Sequence, residues 1–261
     1  MPSKDEAPPQ EIFFRLSGAG DSPWEIGRAQ SAIIKLVEQG IFHGTVLDIG
    51  CGIGDNAIYI ASHAKDVTLT AIDLVPKAIE VAHEKAQRVN VNIQFEVIDM
   101  LSDLSKTNLK QNSYDVILDA AIFHAFSNDD RLLYIKNLEY LIKPNGLYVQ
   151  IVYSEKETRE GGPRRIKKTD LEDLFSLKNG WAIESIEDSI YESRPGAPLS
   201  PNEWFPVGSE NWSDWFVVGV NDVDIKSDGP SLRLKRWWSY FTDHRHKYII
   251  CKQNNFKGCS C

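Results

Sequence analysis

The chain has 261 residues, 42% of them hydrophobic and 25% charged, an ordinary globular composition that supports a full core. A formal net charge of −8 opposes approach to a phosphate backbone and excludes nucleic acid as the main partner. No apolar run approaches the roughly 18–20 residues that span a bilayer, and the polar, proline-rich start has no signal-peptide core, so a cytoplasmic protein with no membrane partner is expected.

Residues 1–20 are expected to form a disordered tail. Residues 31–39 read as a helix on Ile33, Ile34, Leu36 and Val37, stopped by Gly40. A short apolar strand at 45–49 runs into Gly50-Cys51-Gly52-Ile53-Gly54, and 56–63 continue as a helix. A second strand, 68–72, is closed by Asp73, and Pro76 opens a helix that runs to residue 89. Residues 93–98 alternate and end at Asp99, and 114–118 form a buried strand ending at Asp119. A helix over 129–142 is halted by Lys-Pro-Asn-Gly and followed by a strand at 147–153. Residues 169–177 read as a helix capped by Thr169 with Glu172 at capping-box spacing, and 181–191 as a long sixth strand.

Beyond Arg194 the texture changes. Residues 195–245 are rich in Pro, Gly, Asn and Trp and read as an insertion before a last strand at 247–251, with 255–261 as a tail. The alternation of apolar strands and helices implies an α/β, Rossmann-like, doubly wound seven-stranded sheet, with its ligand site at the carboxyl ends of the strands. Four cysteines, Cys51, Cys251, Cys259 and Cys261, are too few for a disulfide framework. The closing Gly-Cys-Ser-Cys looks like a doubly prenylated tail, set against the simpler reading of a frayed end. No metal site is expected.

The strand-end residues carry the chemistry. Glycines at 50, 52 and 54 let a ligand approach the backbone. The spacing differs from G-x-G-x-x-G, and Asp48 and Asp55 flank it, which disfavours pyrophosphate and suits a cationic ligand carrying an ammonium, such as S-adenosylmethionine. Asp73, about twenty residues past the glycines, is placed to accept from both ribose hydroxyls, and its plainer reading is a strand-end turn. Asp99 is positioned either to accept from an adenine amino group, with Met100 against the ring, or to cap the next segment. Asp119 and His124 then face the transfer point. His124 is a candidate general base, with a structural packing role as the alternative.

Residues 46–154 resemble class I S-adenosylmethionine-dependent methyltransferases. Pro23-Trp24-Glu25-Ile26-Gly27-Arg28, the glycine turn, Asp119 through His124-Ala125-Phe126-Ser127, and Gly162-Pro163-Arg164-Arg165 resemble a small-molecule subgroup that includes bacterial heterocyclic toxin methyltransferases and is related in fold to thiopurine S-methyltransferases. The resemblance implies methylation of a small aromatic heterocycle at O, N or S, with residues 21–254 as the methyltransferase domain. It implies cofactor contacts from Trp24, Gly50, Gly52, Asp73, Asp99 and Met100, and Asp48, Cys51, Leu74 and Asp119 are cofactor candidates beside them. Trp24 also reads as an anchor into the core.

Asp119 and His124 are the catalytic candidates, and Phe123, His124, Phe126, Trp204 and Trp212 the candidates that touch the acceptor. Five of the seven tryptophans fall in 195–245, which reads as a cover over the pocket or as a dimer interface or extension of the core. In-line methyl displacement mainly requires alignment of acceptor, methyl and sulfur, and needs a base only for an acceptor protonated at neutral pH. Two rival functions are methylation of protein or nucleic acid, and cofactor binding without catalysis.

Overall fold

The computed structural model describes residues 7–20, 22–157 and 163–194, together with the backbone of 211–221 and 251–253. Five strands run parallel in the order β3-β2-β1-β4-β5: β1 (Gly44–Ile49), β2 (Val67–Asp73), β3 (Gln94–Val97), β4 (Tyr114–Ala120) and β5 (Ile142–Tyr153). In β4 the run Val116-Ile117-Leu118 is wholly buried, as a strand covered on both faces requires. The order reverses at β1, which pairs with β2 on one side and β4 on the other. That reversal opens a crevice at the carboxyl ends of the strands.

Among the described residues six helices accompany the sheet: α1 (Gln10–Leu16), α2 (Ser31–Glu38), α3 (Asp55–His63), α4 (Pro76–Arg88), α5 (Asn128–Leu141) and α6 (Lys168–Leu174). Along α4, Ala78, Ala82 and Ala86 form one buried stripe of small side chains at helical spacing. This stripe lets the start of α3 approach closely, since a methyl group at Gly54 would lie 2.9 Å from Ala82 Cβ. Ser127 caps α5 by accepting from the Asp130 amide at 3.1 Å. The capping box expected at Thr169 is not formed. Helix α6 begins one residue earlier, at Lys168, whose amide donates to Glu155 Oε1 at 3.1 Å.

The second half of the sheet differs from the expectation in two ways. Strand β7 (Asn211–Asn221) lies inside the stretch read as an irregular insertion and pairs antiparallel with both β5 and β6 (Trp181–Glu192). Among the described residues the sheet has eight strands where seven were expected, including a short β8 (Cys251–Gln253) where a last strand was expected at 247–251. The physical reason is Phe216-Val217-Val218-Gly219-Val220, a β-forming run next to turn-like Asn, Ser and Asp. Because β7 reverses twice, β6 points the same way as β5, and its carboxyl end reaches the rim where the crevice opens.

The N-terminal expectation is also corrected. Residues 10–16 are helical, and the loop at 17–20 is folded against Glu25. Leu16 is buried, the Phe13 ring lies 6.2 Å from Trp24, and the buried Glu25 carboxylate accepts from the amides of Gly18 (2.6 Å) and Gly20 (3.1 Å). Composition reports the polarity of this segment but not the partners that order it.

Among the described residues, no helix is long and apolar enough to cross a membrane.

Candidate active site

Strand β1 ends in a turn that only glycine enters at low cost. Gly50, Gly52 and Gly54 have φ of 63°, 54° and 79°, a region that costs other L-residues roughly 1–2 kcal/mol each. At Gly50 a Cβ would collide with Ile122, so the turn and the end of β4 lie against each other. At Gly52 a Cβ would meet no heavy atom within 4 Å, so the backbone there opens onto the crevice.

Asp73 ties the two strand ends together. Its Oδ2 accepts the Gly52 amide at 2.8 Å and its Oδ1 the Val75 amide at 2.9 Å. Burial pushes this carboxyl upward, and the amide donors oppose the shift. Each oxygen keeps a second acceptor site. Asp99 makes the local turn of its capping reading, Oδ1 accepting the Leu101 amide at 2.8 Å, and the residue also borders the crevice beside Met100.

Cys51 and Leu74 also line the crevice, and burial, with the charges of Asp73 and Asp48, pushes the Cys51 thiol up. Ala121, at the end of β4, has φ 77°, a conformation that costs about 1–3 kcal/mol and is concentrated at functional sites.

The acidic pair read as the ammonium site is rearranged. Asp55 is ion-paired with Lys85. Asp48 is 1% exposed and lies behind the turn, and neither of its oxygens has a partner among the described residues. Burial, then the charges of Asp73 and Asp119, push its carboxyl well above the usual range. The crevice nonetheless favours a cation. Among the described residues Glu25, Asp55, Asp73, Asp99 and Asp130 border it, against Arg28 alone of the lysines and arginines.

Two of the catalytic and acceptor candidates are not at the crevice. Asp119 is wholly buried, and its oxygens accept from Tyr134 Oη (2.7 Å), Tyr148 Oη (2.9 Å) and the Ile122 amide (2.9 Å). It organises the turn after β4. Phe123 is also wholly buried, between Tyr134 and Phe175, with the Arg131 guanidinium 5.0 Å from its ring centroid.

His124 does border the crevice, but in a form that contradicts the base assignment. Its Nδ1 accepts the Tyr153 amide at 3.1 Å, so the proton of the neutral ring is assigned to Nε2. Burial, and then Arg131, lower its pKa to about 3. The ring offers the crevice an N–H rather than a lone pair.

Phe126 borders the crevice as expected, its ring 4.9 Å from Tyr134. Its carbonyl accepts from Arg164 at 2.6 Å, which gives the Gly-Pro-Arg-Arg segment a structural task. Trp24 also borders it, half-buried. Trp212 lies opposite Tyr191 in the β6–β7 register, and Trp204 lies outside the described residues.

Sequence reasoning missed the clasp that closes one end of the crevice. Arg28 makes a two-point ion pair with Glu192 (3.1 and 2.6 Å), whose carboxylate also accepts the Ser31 amide at 2.8 Å. The Gln30 side chain pairs with the backbone of Glu192 at 2.9 and 2.7 Å. Tyr191, beside it, borders the crevice. No local signal announces residues this far apart in sequence.

Arg28, with the Ser31 amide, holds the Glu192 carboxyl down at about 2. A depressed carboxylate contributes stability that is fully present above its unfolded pKa, near 4.5, and is lost as pH falls toward 2. The difference in unfolding free energy between the wild type and Glu192→Gln should therefore be constant above about pH 5 and vanish in acid, as read by urea unfolding across pH.

Comparisons with known proteins agree with this geometry. A methyltransferase domain family matches residues 46–146. The 2-heptyl-1-hydroxyquinolin-4(1H)-one methyltransferase of Mycobacteroides abscessus is 30% identical over 201 residues, 76% of this chain and 85% of that protein. A probable thiol methyltransferase of Arabidopsis thaliana is 28% identical over 173 residues, 66% of this chain and 74% of that protein. A solved structure concerned with conversion of a disulfide bond into a thioacetal group during echinomycin biosynthesis superposes with a TM-score of 0.64 at 24% identity. The alignment covers 91% of this chain and 97% of the other.

Proposed function

We infer the acceptor from a fixed premise: this chain belongs to the class I S-adenosylmethionine-dependent methyltransferases that act on small molecules. We propose that the acceptor is a flat aromatic molecule, methylated at an oxygen or sulfur attached to its ring system. The observation that carries this reading is that two unlike sets of residues line one crevice. One set is the glycine turn with Asp73, Leu74, Asp99 and Met100. The other is aromatic: Phe13, Trp24, Phe126 and Tyr191. Aromatic linings favour offset stacking and exclude water from a reacting centre.

The residues fit the cofactor. The open backbone at Gly52 leaves space where a side chain would otherwise stand, and the acidic border suits a ligand with two positive centres. In this reading Gly50, Cys51 and Gly52 lie along its methionine part, Asp73 accepts from its ribose, Leu74, Asp99 and Met100 hold its adenine, and Trp24 covers its positive sulfur. The bound sulfonium supplies an electrophilic methyl group. The chain's contribution is alignment: two ligands held together in one orientation replace a bimolecular encounter. The relatives support both acceptor atoms, since one is named for a hydroxyquinolone and another for a thiol.

The test is methyl transfer from labelled S-adenosylmethionine to 1-hydroxyquinolin-4(1H)-one, 4-hydroxyquinoline, benzenethiol, thiocyanate and cyclohexanol. Transfer to the aromatic acceptors is expected to exceed transfer to the others by at least about a hundredfold in kcat/KM, the range that loss of stacking and apolar contact produces. A preference for thiocyanate or cyclohexanol overturns the aromatic assignment.

A further inference from the structure

We propose that His124 is an N–H donor that selects an acceptor already in its anionic form and positions the anionic atom for methylation. The proposal rests on the methyl-transfer reading above and adds the ionisation state of the substrate to it. Three observations carry it. The imidazole is 4% exposed and locked: Nδ1 accepts the Tyr153 amide at 3.1 Å, and the Tyr153 ring stands edge-on at 5.9 Å and 70°. A flip of the ring would give up the amide bond. The remaining nitrogen, Nε2, carries the proton and has no acceptor among the described residues, while the residue borders the crevice.

The surroundings point the same way. Arg131 of α5 and Tyr153 of β5 are the ionisable side chains packed against the ring, and the crevice it borders carries Asp73, Asp99 and Asp130. Arg131 is itself anchored, its Nε donating to the Phe123 carbonyl at 3.2 Å. Burial, and then the fixed positive charge of Arg131, keep the imidazole neutral, and that charge lowers the energy of an anion nearby. In a crevice bordered by carboxylates, such a donor favours an anionic acceptor whose charge they otherwise oppose.

The reaction balances without a proton step. The anionic oxygen or sulfur of the acceptor forms the bond to the methyl carbon, the carbon–sulfur bond breaks with its electron pair left on sulfur, and cation and anion become two neutral products. A base has nothing to remove, which agrees with a histidine whose only open nitrogen already bears hydrogen. The rate should follow the acceptor's own ionisation with pH, and no protein group near the ordinary histidine range should shape the profile.

The test uses two variants that separate the ring's two nitrogens. His124→Asn keeps an acceptor for the Tyr153 amide and removes the outer donor. His124→Gln reaches an N–H toward the position of Nε2 and gives up the inner acceptor. Binding of 1-hydroxyquinolin-4(1H)-one in the presence of S-adenosylhomocysteine is measured by calorimetry from pH 5 to 9, with 1-methoxyquinolin-4(1H)-one as the probe that cannot ionise.

His124→Asn is expected to bind the ionised probe ten- to a hundredfold more weakly and the methoxy probe as the wild type does, while His124→Gln recovers most of the loss. Equal affinities of wild type and His124→Asn for the ionised probe overturn the proposal alone. So does a wild-type profile in which binding or kcat requires a protein group that ionises between pH 6 and 7. Failure of the wild type to bind either probe, with cofactor binding intact, overturns the acceptor class of the preceding reading and this proposal with it.

Discussion

Asp73→Ala is expected to weaken S-adenosylmethionine binding by a hundredfold or more. The side chain does two things in one place. Its oxygens accept from the amides of Gly52 and Val75, which fixes the glycine turn against the end of β2, and each has a second acceptor site for a ribose hydroxyl. Hydrogen bonds to a charged group are worth about 1.5–3 kcal/mol each, so losing two to the ligand and loosening the turn that shapes its seat exceeds tenfold comfortably. Asp73→Asn keeps one good acceptor and should fall between the wild type and alanine. Calorimetry with the folded variants decides: unchanged affinity in Asp73→Ala would make the residue a strand-end turn and nothing more.

The second large effect is on stability. Phe123→Ala removes a wholly buried ring from between Tyr134 and Phe175 and leaves the Arg131 guanidinium without its cation–π face. Truncations of this kind cost about 3–5 kcal/mol, roughly a 6–20 °C fall in Tm for a chain of this size. Cofactor affinity measured well below the new Tm should stay within about threefold, because the ring does not border the crevice. A residue that held the acceptor would behave in the opposite way, with full thermal stability and a raised KM.

The contrast between neighbours explains what was legible in the sequence. The glycine turn, Asp73 and Asp99 could be read because each ends a strand, where the fold itself dictates which way the next residues face. Phe123 and His124 lie on a single 3₁₀ turn, Phe123–Ala125, where adjacent side chains leave in different directions. The sequence put both at the acceptor, and the structure turns one into the core and one to the crevice. Asp119 was misassigned for a related reason. Strand-end carboxylates look alike in a string of letters, and only the arrival of Tyr134 from α5 and Tyr148 from β5 shows that this one is already saturated.

The clasp between Arg28 and Glu192 depends on two segments 164 positions apart and has no local pattern to betray it. Strand β7 was hidden differently: its strand-forming half, Phe216 to Val220, was averaged into a region whose overall texture is turn-like.

The two sets of lining residues also come from different parts of the chain. Those assigned to the cofactor come from residues 49–56, 73–75 and 98–101, within the single stretch 49–101. The residues assigned to the acceptor come from 7–30 at one end of the chain, from Phe126, and from Pro163 and Tyr191 far along it, and the first and last of these segments are joined by the clasp and by the Arg194 amide, which donates to the Pro23 carbonyl at 2.7 Å. Such a division uncouples inheritance of the reaction from inheritance of its target. Changes in the distal segments can reshape what is accepted while the donor site stays as it was, and loops on a rigid scaffold tolerate them best. Drift in acceptor choice among descendants of this chain should therefore accumulate at Phe13, Trp24, Phe126 and Tyr191, with Gly50, Gly52 and Asp73 left unaltered.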